Sequence, residues 1–294
     1  MRNLRIIPTK YYLILCIISM LNYNAFSQEE DLLAELEEDI EKPKLLFQTP
    51  AFKAMKIANL QSTKIAANGD FYMYVSHRFG TLKDGISTFF GLDNANTKIQ
   101  FVYGLTDYLQ LGLSRESLRK TYAGSAKIKL LSQNQKTPVN ITFYSTLNIN
   151  TELSKKRYPK LKNIDRLSYT SQLLISKRLS NNLSLELAPS YIYQNLVLEP
   201  FQQHAQFALA VGGRFKLTKR MSINLDYAYN FSRHKSSAYK NPLTLGLDIE
   251  TGGHVFQLLF SNAQSTNEPG FLTNAEGNWS KGDIFFGFNI VRVF

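Results

Sequence analysis

The sequence has 294 residues, of which 44% are hydrophobic and 13% aromatic, and its formal net charge is +11. This apolar content excludes a disordered chain, because disordered segments lack the apolar surface that a core needs. The single cysteine, Cys16, excludes a disulfide scaffold and a thiolate zinc site. Beyond the N-terminus no apolar run approaches the ~20 residues of a membrane-spanning helix, which excludes a bundle of transmembrane helices.

The first 27 residues have the three parts of a secretory signal peptide. A basic start (residues 2 to 10) precedes an apolar stretch (residues 11 to 21), and the Ala-Phe-Ser sequence at residues 25 to 27 fits a cleavage site. We therefore predict export and removal of this segment. The apolar stretch is shorter than the ~20 residues of a membrane span, which disfavours an N-terminal anchor. Bulky Leu15 before Cys16 disfavours a lipoprotein signal.

Charge is distributed unevenly over the rest of the chain. Residues 28 to 44 contain eight acids and two bases, a net charge of −6, whereas the chain from Leu45 onward carries +14. The bases of this second part are scattered through strand-like segments, so we expect no nucleic-acid partner. The acidic segment has apolar side chains on one side of a helical wheel, which fits a short amphipathic helix. It is either a solvated tail or a binding site for a periplasmic partner.

Residues 45 to 69 precede the region of alternating strands. Thr49 followed by Pro50 is a helix-start signal, so a helix over residues 50–60 is one expectation. Residues 61–67 fit a strand equally well. We assign residues 28–69 to an acidic periplasmic lead that contains a possible short helix or a plug for a barrel lumen.

From residue 70 onward apolar and polar residues alternate with a period of two. Residues 139 to 149 show this most clearly, with valine, isoleucine, phenylalanine and leucine on one face and asparagine, threonine and tyrosine on the other. Such alternation predicts strands with one apolar face. The twelve candidate strands cover approximately residues 71–79, 98–104, 108–115, 121–131, 138–150, 166–179, 182–193, 204–216, 221–231, 243–250, 254–261 and 282–294.

Short and long connections alternate between these strands, except that residues 116–120 are short where a long connection is due. Transmembrane β-barrels have this arrangement, with short periplasmic turns and longer external loops. A chain whose barrel begins and ends in the periplasm also needs an even number of strands. We therefore predict an all-β fold, an antiparallel transmembrane barrel of about 12 strands formed by residues 70–294, surrounded by outer-membrane lipid.

The last strand carries the most specific single signal. Apolar residues alternate toward the terminal Phe294, at Ile284, Phe286, Phe288 and Ile290. This resembles the C-terminal strand by which the barrel assembly machinery recognises outer-membrane barrels. We expect that machinery as a partner and Phe294 as the assembly signal. Arg292 on the same face departs from the usual apolar choice, and its charge has to extend to the interface.

Histidine is the side chain best suited to general acid–base work near neutral pH. His77 lies near the end of the first predicted strand, and Asp93 in the following loop is a candidate to orient it. No GxSxG elbow accompanies it. His204, His234 and His254 lack the spacing of a metal site, and no carboxylate cluster lies beside them. We predict no catalytic, cofactor or metal site.

If the apolar faces meet lipid, the charged residues of the polar faces point inward. A charge on the lipid face would cost about 2 to 4 kcal/mol near the midplane. The predicted lumen-lining residues are Arg78, Arg115, Lys127, Lys129, Arg178, Glu186, Arg214 and Asp226. A cationic lumen of this kind favours anions in a channel. The alternative is that the bases pair with the few inward acids and fill a closed barrel.

Three sequence motifs resemble those of a known family. They are HRFG at residues 77–80, FFGLDNA at 89–95 and YGLTDYLQLGL at 103–113. These motifs resemble a β-barrel family of unknown function from Bacteroidota, and the resemblance extends from about residue 47 to 294. It implies a barrel in the outer membrane of a Gram-negative bacterium, and it supplies no activity, ligand or catalytic residue.

The sequence leaves three functions open. The leading hypothesis is a porin-like, non-catalytic channel or a structural or accessory protein of the outer membrane. The second is a lipid-modifying outer-membrane enzyme centred on His77. The third is a soluble secreted β-barrel that holds an apolar ligand, with Phe143, Leu225 and Phe286 in its core.

Overall fold

A computed structural model describes residues 50–251 and 254–294; the predicted signal peptide and the acidic segment lie outside these residues. Twelve antiparallel strands close into a barrel in which each strand pairs with its neighbours in sequence and β1 pairs with β12. The strands are β1 (Phe71–Thr81), β2 (Ala95–Thr106), β3 (Leu109–Glu116), β4 (Thr121–Leu131), β5 (Asn140–Asn150), β6 (Leu167–Arg178), β7 (Leu183–Gln194), β8 (Ala205–Lys216), β9 (Met221–Asn230), β10 (Leu243–Thr251), β11 (His254–Ser261) and β12 (Phe285–Val293).

The predicted antiparallel barrel of about 12 strands is confirmed. The bounds of β4 and β11 agree with those predicted, and the largest differences occur at the starts of β2 and β12. Strand β2 begins at Ala95 because Ala95 and Thr97 pair with Phe79 and His77 of β1. A polar Ala-Asn-Thr sequence gives no strand signal of its own, so only this pairing extends the strand.

Helices have a minor part in the described residues. One short α-helix, α1 (Glu268–Thr273), lies in the connection between β11 and β12, and its N-cap Asn267 accepts a hydrogen bond from the backbone N–H of Gly270. Four 3-10 turns lie in other connections, at Leu82–Thr88, Leu118–Lys120, Asn163–Arg166 and Trp279–Lys281. No helix among residues 50–251 and 254–294 has the length and apolar character that a membrane crossing requires.

The outward face of the barrel is apolar and the inward face is polar. On β3, the outward-facing Leu111 and Leu113 are 46% and 70% exposed, whereas the inward-facing Gln110 is 5% exposed. Phe143, Leu225 and Phe286, which a soluble barrel would place in its core, all lie on the outward face. The hypothesis of a soluble ligand-binding barrel with these three side chains in its core is therefore wrong.

Aromatic rings gather at both ends of the outward face. Phe71 stacks on Phe101 and contacts Phe294 at one end, with ring centroids 5.8 and 5.9 Å apart. At the other end, Phe79 stacks on Phe286 at 5.7 Å. Such girdles are typical of the two interfaces of a transmembrane barrel.

The two ends of the barrel differ in their connections. Both chain ends of the barrel lie at the end with the short turns, where the Phe294 N–H donates to the Phe71 carbonyl over 2.9 Å. This end corresponds to the periplasmic side of a transmembrane barrel. The long connections lie at the opposite end. Following the usual arrangement of transmembrane barrels, we name the first end periplasmic and the second extracellular. The β3–β4 connection stays short there, and its Arg119 and Lys120 adopt left-handed backbone conformations, with φ of 55° and 46°.

Residues 50–67 form neither the helix nor the strand considered for them. They make an irregular hairpin, in which the Ile57 N–H donates to the Leu60 carbonyl and the Ser62 N–H donates to the Met55 carbonyl, both over 2.8 Å. Apart from Lys53 and Lys64, every residue from Ala51 to Ala66 is buried. We call residues 50–67 the plug. It is held by side chains from most strands of the barrel, as described below, which places it inside the lumen.

Candidate functional site

The lumen of the barrel is occupied from both ends. The plug fills it from the periplasmic end, and the β11–β12 connection, residues 262–284, folds into it from the extracellular end. We call this connection the lumen loop. Phe52, Ile57 and Leu60 of the plug and Phe271 and Leu272 of α1 belong to one buried apolar cluster, which also includes inward residues of the wall. The lumen is therefore the candidate functional site, and it is closed.

The tip of the plug is held by two charged residues of the barrel wall. The Asp226 carboxylate on β9 accepts hydrogen bonds from the backbone N–H groups of Asn59 and Leu60, over 2.7 and 2.9 Å. The Arg78 guanidinium on β1 donates to the Asn59 side-chain oxygen over 2.7 Å. A tight irregular turn exposes backbone groups that need partners when buried. The wall supplies these partners.

The arms of the plug are held in the same way. Lys127 on β4 points its ammonium at three plug carbonyls, those of Met55, Ser62 and Lys64, over 3.3, 2.9 and 3.1 Å. The Glu186 carboxylate on β7 accepts a hydrogen bond from the Thr63 N–H over 2.9 Å. Wall cations thus bind plug carbonyls, and wall carboxylates bind plug amides.

Glycine makes room for the plug at two positions of the wall. A Cβ atom at Gly104 would lie 1.8 Å from the carbonyl oxygen of Ala67, and one at Gly212 would lie 2.3 Å from Cδ1 of Ile57. The first contact is with backbone, which cannot rotate away. The plug therefore approaches β2 more closely than any other residue type at position 104 would allow.

At the extracellular end, one carboxylate anchors the lumen loop. Glu116, the last residue of β3, is 1% exposed. It accepts hydrogen bonds from the N–H and the hydroxyl of Thr266 over 2.6 and 3.1 Å, and from Ser265 and Asn267 of the same loop. A further bond comes from Asn96 over 2.7 Å. We call this contact the latch, since it fixes the loop inside the barrel.

The plug and the lumen loop meet in the interior. The Gln61 amide donates to the Glu268 carboxylate over 2.8 Å, and the Tyr144 hydroxyl donates to the same oxygen over 3.1 Å. Burial alone would raise the pKa of Glu268, but the charges of Lys98 and Lys56 outweigh it and hold that pKa below its usual value. Burial, followed by the charge of Lys98, lowers the pKa of Lys56 to about 7. The contact between the plug and the lumen loop therefore includes the interacting charges of Glu268, Lys98 and Lys56.

A cavity of ≈ 80 Å³ lies at the extracellular end between the lumen loop and the wall, with Asn148, Gln194 and Asn274 among its lining residues. A buried water needs roughly 10 to 15 Å³ of such space. The volume of this cavity corresponds to a few water molecules and is too small for a solute path.

Seven of the eight predicted lumen-lining residues lie at inward positions. Arg78, Lys127, Glu186 and Asp226 are buried against the plug. Lys129, Arg178 and Arg214 are half-buried at the periplasmic rim. At this rim the Arg214 guanidinium pairs with Glu250, which also pairs with Lys53 of the plug.

The inward position predicted for Arg115 is wrong. Arg115 is exposed on the outward face, with its guanidinium 5.8 Å from the ring centroid of Tyr122. Because Gln110 and Gly112 point inward, strict alternation turns Arg115 outward and places its neighbour Glu116 in the lumen.

Sequence reasoning missed several inward charges. Lys98, Glu116 and Asp248 are all buried on the inward face. The alternation of β2, which turns Asn96, Lys98 and Gln100 inward, is the signal that could have found Lys98. Among the described residues, the deeply buried wall charges are three bases and four acids, namely Arg78, Lys98, Lys127, Glu116, Glu186, Asp226 and Asp248. The wall is mixed in charge rather than cationic.

His77 has aromatic neighbours on the outward face. Its ring lies 5.2 Å from that of Phe288 and 4.5 Å from that of Phe79, and its Nδ1 is 2.8 Å from the Thr97 hydroxyl. In the part of the chain that the structure describes, Thr97 and not Asp93 is its hydrogen-bond partner. Nor do the described residues include a group of three or more His, Cys, Asp or Glu placed to hold a metal ion. This geometry is that of an interfacial aromatic cluster.

One family model agrees with the barrel architecture. A family model described as a membrane bound beta barrel domain, a domain of unknown function, matches residues 52–294. No curated protein matches the sequence.

Solved structures of similar shape are distant in sequence. The NanC porin is 7% identical over 76% of this chain and 98% of that chain, with a TM-score of 0.47. An outer membrane channel from Pseudomonas putida F1 is 13% identical over 79% of this chain and 97% of that chain, with a TM-score of 0.42. Outer membrane phospholipase A from Escherichia coli is 11% identical over 77% of this chain and 89% of that chain, with a TM-score of 0.39. With TM-scores of at most 0.47, none of these similarities indicates a function for this chain.

Proposed function

Because the chain belongs to the family of membrane-bound β-barrel domains, we propose that it is a gated, non-catalytic channel of the outer membrane. In the closed state its lumen is filled by the plug and by the lumen loop. The plug and the lumen loop are the two gates. Wall residues hold them, chiefly Asp226 and Lys127 for the plug and Glu116 for the loop.

The observation that carries this proposal is the polar attachment of the plug. Asp226 binds two plug amides and Lys127 binds three plug carbonyls, and both side chains belong to the wall. Water can replace each of these bonds when the plug leaves, so the net free energy per bond is only about 0.5 to 3 kcal/mol. When these polar attachments are released, water satisfies the groups on both sides, which is what reversible undocking of the plug requires.

Conductance in planar bilayers tests the channel. We expect the full chain to be closed most of the time and a Glu116→Ala/Asp226→Ala double variant to open often, because it lacks both attachments. Asp84→Ala/Asp93→Ala is the matched control, since both carboxylates are exposed in the β1–β2 connection and lie outside the plug and the lumen loop. If the double variant is folded and silent, the barrel is a filled structural protein and the channel proposal fails.

Ion selectivity refines the same test. Because the wall is mixed in charge, we expect weak selectivity in the open state rather than a strong preference for anions. Lys127→Glu should shift it toward cations, since Lys127 lies inside the lumen. Arg115→Glu should leave it unchanged, because Arg115 lies on the outward face.

The location of the protein is part of the proposal. A predicted signal peptide, short turns at the end with both chain termini of the barrel and an aromatic C-terminal residue together support export and assembly into the outer membrane of a Gram-negative bacterium, as the resemblance to the Bacteroidota family also implies. Membrane fractionation and heat-dependent gel mobility test this. Recovery from the soluble periplasm would contradict it.

A further inference from the structure

A group of exposed basic residues lies on the extracellular rim between β3 and β6. Its members are Arg115, Lys120, Lys155, Lys156 and Arg157, which are all exposed. We call this group the basic rim. We propose that the basic rim binds the phosphate groups of lipids in the outer leaflet of the membrane. This inference rests on the outer-membrane location of the proposed function and not on channel activity.

The loop that carries three of these bases is folded against the neighbouring turn. The Thr151 hydroxyl donates to the Lys120 carbonyl over 2.6 Å, and the Glu152 N–H donates to the Arg119 carbonyl over 3.3 Å. Leu153 and Leu161 of the same loop are buried. The loop is therefore fixed against the turn that carries Lys120 before any ligand binds, which lowers the entropic cost of binding.

The turn at Arg119 and Lys120 is strained. Both residues adopt left-handed backbone conformations, with φ of 55° and 46°. Glycine or asparagine would adopt such conformations at lower cost, and strain of this kind is common at binding and switch sites. The turn thus carries a base, Lys120, at a position where glycine or asparagine would adopt the backbone conformation at lower cost.

The basic rim lacks acidic partners. The ion pairs among the described residues are those of Glu250 with Lys53 and Arg214. None of the five basic side chains therefore has a carboxylate of these residues within 4 Å of its nitrogen atoms. Arg115 and Arg157 instead lie over the rings of Tyr122 and Tyr158, at 5.8 and 5.6 Å. The five bases outnumber Glu152, which is the one acid of residues 151–157, and this net positive charge favours an anionic surface.

The position of Arg115 identifies lipid rather than a soluble anion as the ligand. Arg115 lies on the outward face, two residues from the exposed Leu113 and beside Tyr122, at the extracellular end of β3. A soluble anion does not reach this lipid-facing side, whereas a lipid headgroup borders it. The planar guanidinium of arginine also matches two phosphate oxygens at once.

Binding of lipid A to the full chain, purified in an uncharged detergent, tests the inference. Native mass spectrometry would compare diphosphoryl lipid A, its dephosphorylated form and inorganic phosphate at equal concentration. The test variant is Arg115→Gln/Lys120→Gln/Lys156→Gln. The control is Lys83→Gln/Lys235→Gln/Lys281→Gln, which removes the same charge from other extracellular connections. Heat-dependent gel mobility shows that each variant is folded.

We expect the dissociation constant of diphosphoryl lipid A to rise at least tenfold in the test variant. Each removed charge near an anionic surface is worth about fivefold, and salt reduces the sum. The control should stay within twofold. An equal loss in the control, equal binding of the dephosphorylated lipid, or tighter binding of inorganic phosphate than of lipid A would each overturn the inference. Conductance is measured in bilayers of phosphatidylcholine without lipid A, so failure of the two proposals is distinguishable.

Discussion

Replacing Asp226 by alanine should release the plug from the wall. Two charge-assisted hydrogen bonds are lost, from the Asn59 and Leu60 N–H groups over 2.7 and 2.9 Å. Bonds to a charged acceptor contribute about 1.5 to 3 kcal/mol each. Since water entering the vacated space restores part of this, we take the lower end, about 3 kcal/mol in total. The ratio of docked to undocked plug should therefore fall about 150-fold.

A thiol reporter in the plug measures this ratio. Cys16 is the only cysteine of the sequence, so Cys16→Ser combined with Ser62→Cys gives a chain with a single thiol. Ser62 is 0% exposed, and its thiol replacement reacts only when the plug undocks. Where docking is faster than labelling, the labelling rate is proportional to the undocked population.

The expected result is a labelling rate about 150-fold higher in Asp226→Ala than in the parent chain, and an intermediate rate in Asp226→Asn, which keeps one acceptor. Asp84→Ala removes an exposed carboxylate of the β1–β2 connection, outside the plug and the lumen loop, and should label at the parent rate. Heat-dependent gel mobility must show a folded barrel in each case. An increase below fivefold, or one matched by Asp84→Ala, would refute the assignment of Asp226 as the plug's main attachment.

Three further predictions concern the gates. Glu116→Ala removes the latch, so amide hydrogen exchange of residues 264–273 should become at least tenfold faster while the strands keep their protection; unchanged exchange would contradict the latch. In the docked plug, burial and the charge of Lys98 lower the pKa of Lys56 to about 7. Between pH 7 and the ordinary pKa of lysine, the docked plug therefore binds fewer protons than the undocked plug, so docking should strengthen as the pH rises above 7. The ratio of thiol labelling in the parent to that in Lys56→Met should therefore fall from pH 7 to pH 9, and a constant ratio would count against this. Gly104→Ala places a Cβ 1.8 Å from the Ala67 carbonyl oxygen and should speed labelling, whereas Gly124→Ala, whose Cβ has no neighbour closer than 4.0 Å, should not.

The barrel itself could be predicted because its signals are local. Alternation with a period of two and the turn residues between strands depend only on neighbours in sequence, and they place β4 and β11 within the bounds that the structure shows. Lipid on one side and a polar lumen on the other make the two faces easy to tell apart.

Arg115 shows where that reasoning fails. The free-energy cost of a charge on the lipid face depends on its depth in the membrane. It is about 2 to 4 kcal/mol at the midplane and about 0 to 1 kcal/mol near the interface. Arg115 and Glu116 end β3 at the interface, where the cost no longer distinguishes inward from outward. Only the alternation of Gln110, Gly112 and Glu116 decides the facing there.

A lumen plug is one of the expectations for residues 28–69, but its conformation could not be predicted, because its partners are far away in sequence. The Ala66 N–H binds a side chain 44 residues away, and the Ala58 carbonyl binds one 231 residues away. The Thr49-Pro50 helix start is a local preference of about 1 kcal/mol. Several wall side chains that each satisfy a buried backbone group outweigh it, so the segment adopts the shape that the lumen dictates.

The two gates are also linked through apolar packing. Ile57 and Leu60 at the tip of the plug share one buried cluster with Phe271 and Leu272 of the lumen loop. Burying each such side chain contributes about 1.5 to 3 kcal/mol, more than one polar contact that water can replace. Withdrawal of the plug would expose the apolar face of α1 to water, and release of the loop would do the same to the plug tip. Opening of either gate therefore weakens the other, and the lumen should open as one unit rather than by two independent steps.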